Sequence, residues 1–301
     1  MPELPDILLY LHALHARVIG QRVNAIRLVS PFLLRSVEPP LASVEGRTVT
    51  GVERLGKRVV IEMEGDLFLV FHLMIAGRFR WRAAGAPIPG KVGLCALDFA
   101  HGSLVLTEAG TKRQASLHVV EGRASLARHN RGGLEVLEAD AAAFAEALRR
   151  ENHTLKRALT DPHLFSGIGN AYSDEILHAA RLSPFKQTAT ITDEEVQRLY
   201  EATYSTLSTW IDRLRRDAGD AFPEKVTAFH EGMAVHGRYG KPCPACGTPV
   251  QRIVYAANEA NYCATCQTGG RLLADRSLSR LLREDWPRTL EELERRRQEH
   301  S

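Results

Sequence analysis

The chain has 301 residues, 44% hydrophobic and 25% charged. That is the composition of a folded chain of about two domains and excludes disordered, collagen-like or mucin-like sequence over most of its length. Its net charge of +3, from 39 Lys and Arg against 36 Asp and Glu, is too small to announce a nucleic-acid partner by itself. No apolar run is long enough to span a membrane, and Met1-Pro2-Glu3-Leu4-Pro5-Asp6 carries an acid where an export leader has basic residues, so neither a membrane nor export is expected.

In chain order, the first third reads as one helix and then strands. Ile7, Leu8, Leu11, Leu14 and Val18 recur at helical spacing over 6–19, with Asp6 at the positive end of the helix dipole and Gly20 at the stop. Runs at 23–29, 48–54, 58–63, 67–74, 78–81, 94–99 and 104–107 are strand-like and are separated by Gly, Asp and Pro. Several short strands with turn signals predict a β-sandwich or barrel. From Asp140 the period becomes helical: 140–150, 155–159, 171–180 after the turn Gly167-Ile168-Gly169-Asn170, and 192–216, which opens with the capping box Thr192-x-x-Glu195. The class is therefore α+β. The expected partition is 1–135 for the strands, 136–236 for the helices, 237–267 for a cysteine-bounded hairpin, and 268–301 for a tail of two polar helices split at Pro287.

Four of the five cysteines form Cys243-x2-Cys246, sixteen intervening residues, and Cys263-x2-Cys266. Each Cys-x2-Cys turn offers two thiolates to one ion, and two turns complete a tetrahedral site. One structural Zn2+ is expected, with no open coordination position for catalysis. Cys95 sits in an apolar run and reads as a small buried hydrophobe. Arg252 lies within the hairpin and is available to nucleic acid.

The amino terminus is a chemical group as well as an end. Removal of Met1 exposes Pro2 as a secondary amine, and an α-amine near its ordinary pKa of about 8 is partly neutral at physiological pH. Such an amine attacks aldehyde-like carbon and forms an iminium ion, an electron sink. Glu3 is placed to transfer protons. The plainer reading is that Pro2 and Pro5 stiffen the start of a helix.

Pro-Glu-Leu-Pro at the start, Gly56-Lys57 in a strand region, Gly-Ile-Gly-Asn170-Ala-Tyr172 and the four-cysteine ribbon occur in this order. Together, over residues 1 to 267, they resemble the formamidopyrimidine-DNA glycosylase/endonuclease VIII family of base-excision repair enzymes. The resemblance implies an N-terminal β-sandwich, a helix–two-turns–helix module and a C-terminal zinc ribbon. It implies a bifunctional DNA glycosylase and abasic-site lyase acting on double-stranded DNA that contains a damaged base or an abasic site. It implies a monomer in a bacterial-type cytoplasm, associated with the nucleoid. Carried over by position, Pro2 is the nucleophile at C1′, Glu3 the acid that assists sugar-ring opening, and Lys57 the strand lysine that contacts phosphate. Asn170 is a phosphate ligand at a helix N-terminus, and Lys156 a lysine that approaches the DNA backbone.

Four stretches depart from the family pattern. The family's arginine at the ribbon tip is Asn258 here, which loses a charge-assisted contact of roughly 1.5–3 kcal/mol. The family's Asp-Pro-Arg-x-Phe-Gly loop is replaced by residues 108–116, in which Arg113 stands in for the arginine and the phenylalanine is missing. The His-Leu-Gly-Met segment reads His72-Leu73-Met74-Ile75, and one of its last two residues is expected in the core. The tail carries Arg271, Arg276, Arg280 and Arg283, then Thr289-x-x-Glu292 and Arg295–Arg297; it reads as a helix docked on the protein or as an added DNA contact. The lesion is therefore not expected to be restricted to 8-oxoguanine. Two further readings stay open: a non-catalytic damage-sensing protein of the same fold, and a zinc-ribbon module of a larger assembly.

Overall fold

The computed structural model describes residues 1–110, 112–224, 226–227, 229–255, 258–274 and 287–299. The chain divides into two compact units, 1–133 with 208–228 and 134–207 with 229–301.

The first unit is a β-sandwich behind one long helix. Helix α1 (Leu4–Val18) buries Leu4, Ile7, Tyr10, Leu14 and Val18. One sheet has the order β1 (Ala25–Leu28), β6 (Gly93–Phe99), β7 (Gly102–Glu108), β5 (Gly77–Arg82). The other has the order β2 (Val49–Leu55), β3 (Arg58–Met63), β4 (Leu67–His72), β8 (Ser116–Glu121). All pairings are antiparallel. Val59, Ile61, Leu69, Phe71, Leu117 and Val119 alternate along the second sheet and are buried. The short helix α2 (Arg123–Ala127) follows β8 and places Leu126 against Phe68 and Val120.

Three rings join α1 to both sheets. Tyr10 meets Phe79 edge-on at 5.4 Å, and Phe79 meets Phe71 at 5.2 Å. This contact fixes the start of α1 against β5, and so fixes the amino terminus. Strand β8 was not among the expected strands, and the run expected over 67–74 ends at His72.

The second unit holds α3 (Ala141–Arg149), α4 (Leu155–Thr160), α5 (Asn170–Ala179) and the first part of α6 (Asp193–Ala218). The capping box at Thr192 is formed: Glu195 N–H donates to Thr192 Oγ1 at 3.2 Å, and Thr192 N–H to Glu195 Oε2 at 3.0 Å. The ribbon hairpin is β9 (Gln251–Tyr255) against β10 (Asn258–Tyr262), followed by α7 (Ala264–Thr268).

Of the tail, residues 268–274 and 287–299 are described, and the first of its two expected helices lies mostly outside them. Thr289 Oγ1 caps the helix Leu290–Glu299 through Glu292 N–H at 3.2 Å. Leu290 and Leu293 pack on Ile253, Tyr262, Ala264 and Leu272. That is the docked helix of the sequence reading. The two compact units cut across the four linear parts expected from sequence: 237–299 falls with the helices, and 208–228 with the sandwich. Arg276, Arg280 and Arg283 lie outside the described residues.

Candidate active site and metal centre

The amino terminus is built into a helix cap. Glu3 is the N-cap of α1, and its side chain accepts from the Asp6 N–H. In return, Glu3 N–H donates to Asp6 Oδ2 at 2.8 Å. Pro2, Glu3 and Asp6 are all buried. The terminal amine, carried here by Met1, is held below its ordinary pKa, first by burial. The charges of Arg78 and Lys57 lower it further, against Glu3 and Asp6. Lys57 follows Gly56, whose φ of 61° makes the tight β2–β3 turn. The same neighbourhood contains His72, pushed down to about 4 by burial and by the cations Arg58, Lys57 and Arg131. The terminal amine of Met1 thus has Glu3, Asp6, Arg78 and Lys57 as its charged neighbours.

Beside it is the turn that follows β4. Met74 has φ 53°, a left-handed conformation that favours glycine. Ile75 is 65% exposed, so it is not a core residue. A Cβ on Gly77 would lie 2.2 Å from the Leu73 carbonyl oxygen; only glycine closes this turn. The 108–116 loop is closed by Glu108, whose carboxylate accepts from Gln114 and Ala115 N–H. Arg113 donates to the Lys91 carbonyl at 2.6 Å.

In the second unit Asn170 opens α5, as expected from the glycine turn. Lys156 differs from the sequence expectation. It is 2% exposed, and its ammonium contacts Asp174 Oδ1 at 2.5 Å and the Asn170 carbonyl at 2.6 Å. Its charge is used inside the protein, holding the first turn of α5, rather than presented at the surface. Asp174 Oδ2 also lies 2.8 Å from His236 Nδ1 and accepts from Asn261 at 3.1 Å. Glu175 accepts the N–H groups of Ala234, Val235 and His236. Burial is the main cause that raises its pKa. Two adjacent acids of α5 thus fasten the segment that leads into the ribbon.

The four sulfurs of Cys243, Cys246, Cys263 and Cys266 all lie within 4.8 Å of one another. Cys243 and Cys266 are 4.0 Å apart, and Cys246 and Cys263 are 3.4 Å apart. A tetrahedron with Zn–S bonds of about 2.3 Å has edges of about 3.8 Å, so one structural Zn2+ fits this donor set. His178 Nε2 lies 3.2 Å from Cys243 Sγ in the buried interior, an outer contact of the kind that orients a metal ligand. Arg252 is stacked over Tyr239 at 4.7 Å and lies 3.8 Å from Glu259. The hairpin tip at 256–257 and the Asn258 side chain lie outside the described residues.

Sequence reasoning missed Arg78, Asp174, Glu175, His178 and His236. Asp174 and Glu175 had one signal, their place a turn beyond Asn170. Arg78 bonds within its own turn, where no motif pointed to it, and His178 and His236 had no signal, since their partners are remote in sequence.

Three family models match in order: the formamidopyrimidine-DNA glycosylase N-terminal domain over 1–123, the corresponding H2TH domain over 133–217, and a zinc finger found in FPG and IleRS over 240–269. The chain belongs to the formamidopyrimidine-DNA glycosylase family, whose members are DNA glycosylases of base-excision repair. A formamidopyrimidine-DNA glycosylase of Thermus thermophilus is 34% identical over 289 residues, spanning 90% of this chain and 100% of that one. An uncharacterized formamidopyrimidine-DNA glycosylase-like protein of Mycobacterium tuberculosis is 40% identical over 151 residues, 50% of this chain and 94% of that one. Among solved structures, Lactococcus lactis FPG in complex with an oxidized pyrimidine containing DNA superposes with a TM-score of 0.78 at 25% identity, over 89% of this chain and 100% of that one. Among the described residues no helix is long and apolar enough to cross a membrane.

Proposed function

We propose that the chain is a bifunctional glycosylase and abasic-site lyase that works through an N-terminal proline Schiff base. The observation that carries this reading is the buried amino terminus: Pro2 and Glu3 are buried at the cap of α1, and the terminal amine, on Met1 here, is held below its ordinary pKa by burial and two cations. Removal of Met1 places that amine on Pro2. A neutral amine at physiological pH is a nucleophile.

The target nucleotide is turned out of the duplex, because C1′ is inaccessible in the stack. The Pro2 nitrogen bonds to C1′ as the glycosidic bond breaks, and the base leaves with a proton. Glu3 delivers a proton to O4′, the sugar ring opens, and the C1′–N bond becomes an iminium. The iminium acidifies the C2′ proton; its loss expels the 3′ phosphate, and hydrolysis returns the amine. Lys57 and Asn170 hold phosphates of the strand. Arg113 and Arg252 are further contacts on this reading, and Asn258 replaces a charged one. Lys156 acts through Asn170. Zinc fixes the ribbon and takes no part in the chemistry.

The lesion range is wider than 8-oxoguanine: the 108–116 loop has no aromatic residue, and Lactococcus lactis FPG is solved with both oxidized-pyrimidine and Fapy-dG DNA. The protein acts as a monomer in the cytoplasm, on damaged or abasic duplex DNA. The test is borohydride trapping and cleavage on a panel of oxidised purines, oxidised pyrimidines, alkyl adducts, crosslinks and abasic sites. Trapping that Pro2→Gly abolishes supports the reading; trapping of none of these by the wild type overturns it.

A further inference from the structure

Arg78 belongs to none of the motifs that carry the family resemblance. It is the second residue of β5, next to Phe79, whose ring packs on Tyr10 of α1. Its Nη1 donates to two main-chain oxygens of one turn, Ile75 at 3.0 Å and Gly77 at 2.6 Å. That turn carries the left-handed Met74 and the exposed Ile75. The same guanidinium is half-buried and interacts with Asp6, Tyr10 and Arg80. Its charge also reaches the terminal amine, on Met1 here and on Pro2 once Met1 is removed, where Glu3, Asp6 and Lys57 are the other charged groups.

We propose that Arg78 is a positioning residue for the reaction at the amino terminus: one guanidinium braces the 73–77 turn and keeps a positive charge beside the nucleophile. This rests on the reading of Pro2 as that nucleophile. The two tasks need different properties. Bracing needs one nitrogen whose two N–H groups are held in a plane and aimed at two carbonyls, a geometry that arginine's planar head fixes and lysine's rotating ammonium does not. The electrostatic task needs only a cation, which disfavours the protonated amine. The turn and the amine are thereby coupled through one side chain. A base stack that displaces Ile75 acts on the group that helps keep the amine neutral.

The two tasks separate in two variants, read by the pH dependence of borohydride trapping on abasic duplex DNA. Arg78→Gln removes the charge. Its rising limb moves to higher pH, so that trapping at pH 6 slows by about threefold or more while trapping at pH 9 stays within about twofold. Arg78→Lys keeps the charge and loses the planar Nη1 donor: its limb matches wild type, and its KM rises by about threefold. Reductive methylation of the terminal amine with formaldehyde and cyanoborohydride, without DNA, reads the same limb independently of catalysis. An Arg78→Gln limb that superimposes on wild type overturns the electrostatic task, and an unchanged KM in Arg78→Lys overturns the bracing task, even if the glutamine variant does not fold. If Pro2→Gly traps as well as wild type, the failure is that of the Pro2 reading; if Pro2→Gly is inert and both Arg78 variants behave as wild type, it is that of the Arg78 proposal alone.

Discussion

Met74 shows what a single residue costs in this fold. Its φ of 53° suits glycine, and a non-glycine residue there costs about 1–2 kcal/mol. Met74→Gly is expected to raise stability to urea by about 1 kcal/mol, and a loss of stability would show that the methionine side chain outweighs the backbone. The buried pair Lys156–Asp174 behaves oppositely. Asp174→Asn leaves the ammonium of Lys156 buried without its counter-charge and is expected to cost about 3–5 kcal/mol in denaturant unfolding. A cost below about 1 kcal/mol would mean that the lysine escapes to solvent. His72 gives a pH signature. Its folded pKa, about 4, is below its ordinary value of 6.5, so the unfolded chain binds the proton first. Stability from this group is complete above pH 6.5 and is lost as pH falls toward 4. His72→Gln should flatten that limb in pH-dependent melting, and an unchanged limb would assign it to another group.

Legibility at this scale follows sequence distance. The cysteines were legible because each pair closes a turn of four residues. Glu3 was legible because it adjoins the terminus. Asp174 was not, because its partners His236 and Asn261 are 62 and 87 residues away. Lys156 was legible as a lysine of the module, but its burial depends on that same remote carboxylate.

Elements were read well where period and caps agree. The Thr192 box formed, and Thr289 caps the helix it was expected to open, with Glu292 accepting from the Arg288 N–H. Helix α1 starts two residues before the expected Asp6, because Glu3 takes the cap and Asp6 is the reciprocal partner. Strand β8 was missed, although Leu117 and Val119 alternate with half-buried residues, because His118 and Ser116 weaken the apolar signal. The ribbon hairpin owes its stability to both faces: Asn261 bonds toward α5, while Ile253 and Tyr262 lie under Leu290 and Leu293. Leu290→Ala with Leu293→Ala is expected to speed zinc release to a chelator, since the cover of Tyr262 is lost and each half-buried leucine forfeits about 1–2 kcal/mol of burial. Release at the wild-type rate would mean that the ribbon stands without the tail.

At the scale of the whole molecule, the net charge of +3 is mild because many charges of this chain are paired or structural. Arg80 and Arg82 hold Glu224, Arg27 holds Asp98, and Lys156 holds Asp174. The cations left for phosphate are placed rather than abundant, and Lys57 is the lysine beside the amine. The two-unit division was not legible, because a linear reading cannot see that 208–228 return to the sandwich. All of the proposed chemistry converges on one atom, the nitrogen of Pro2. The most direct test reduces the wild-type protein with borohydride on abasic DNA, digests it, and weighs the amino-terminal peptide. The expected result is a sugar adduct on Pro2 with Met1 absent. An adduct on a lysine, or an intact Met1 in the trapped species, would contradict it.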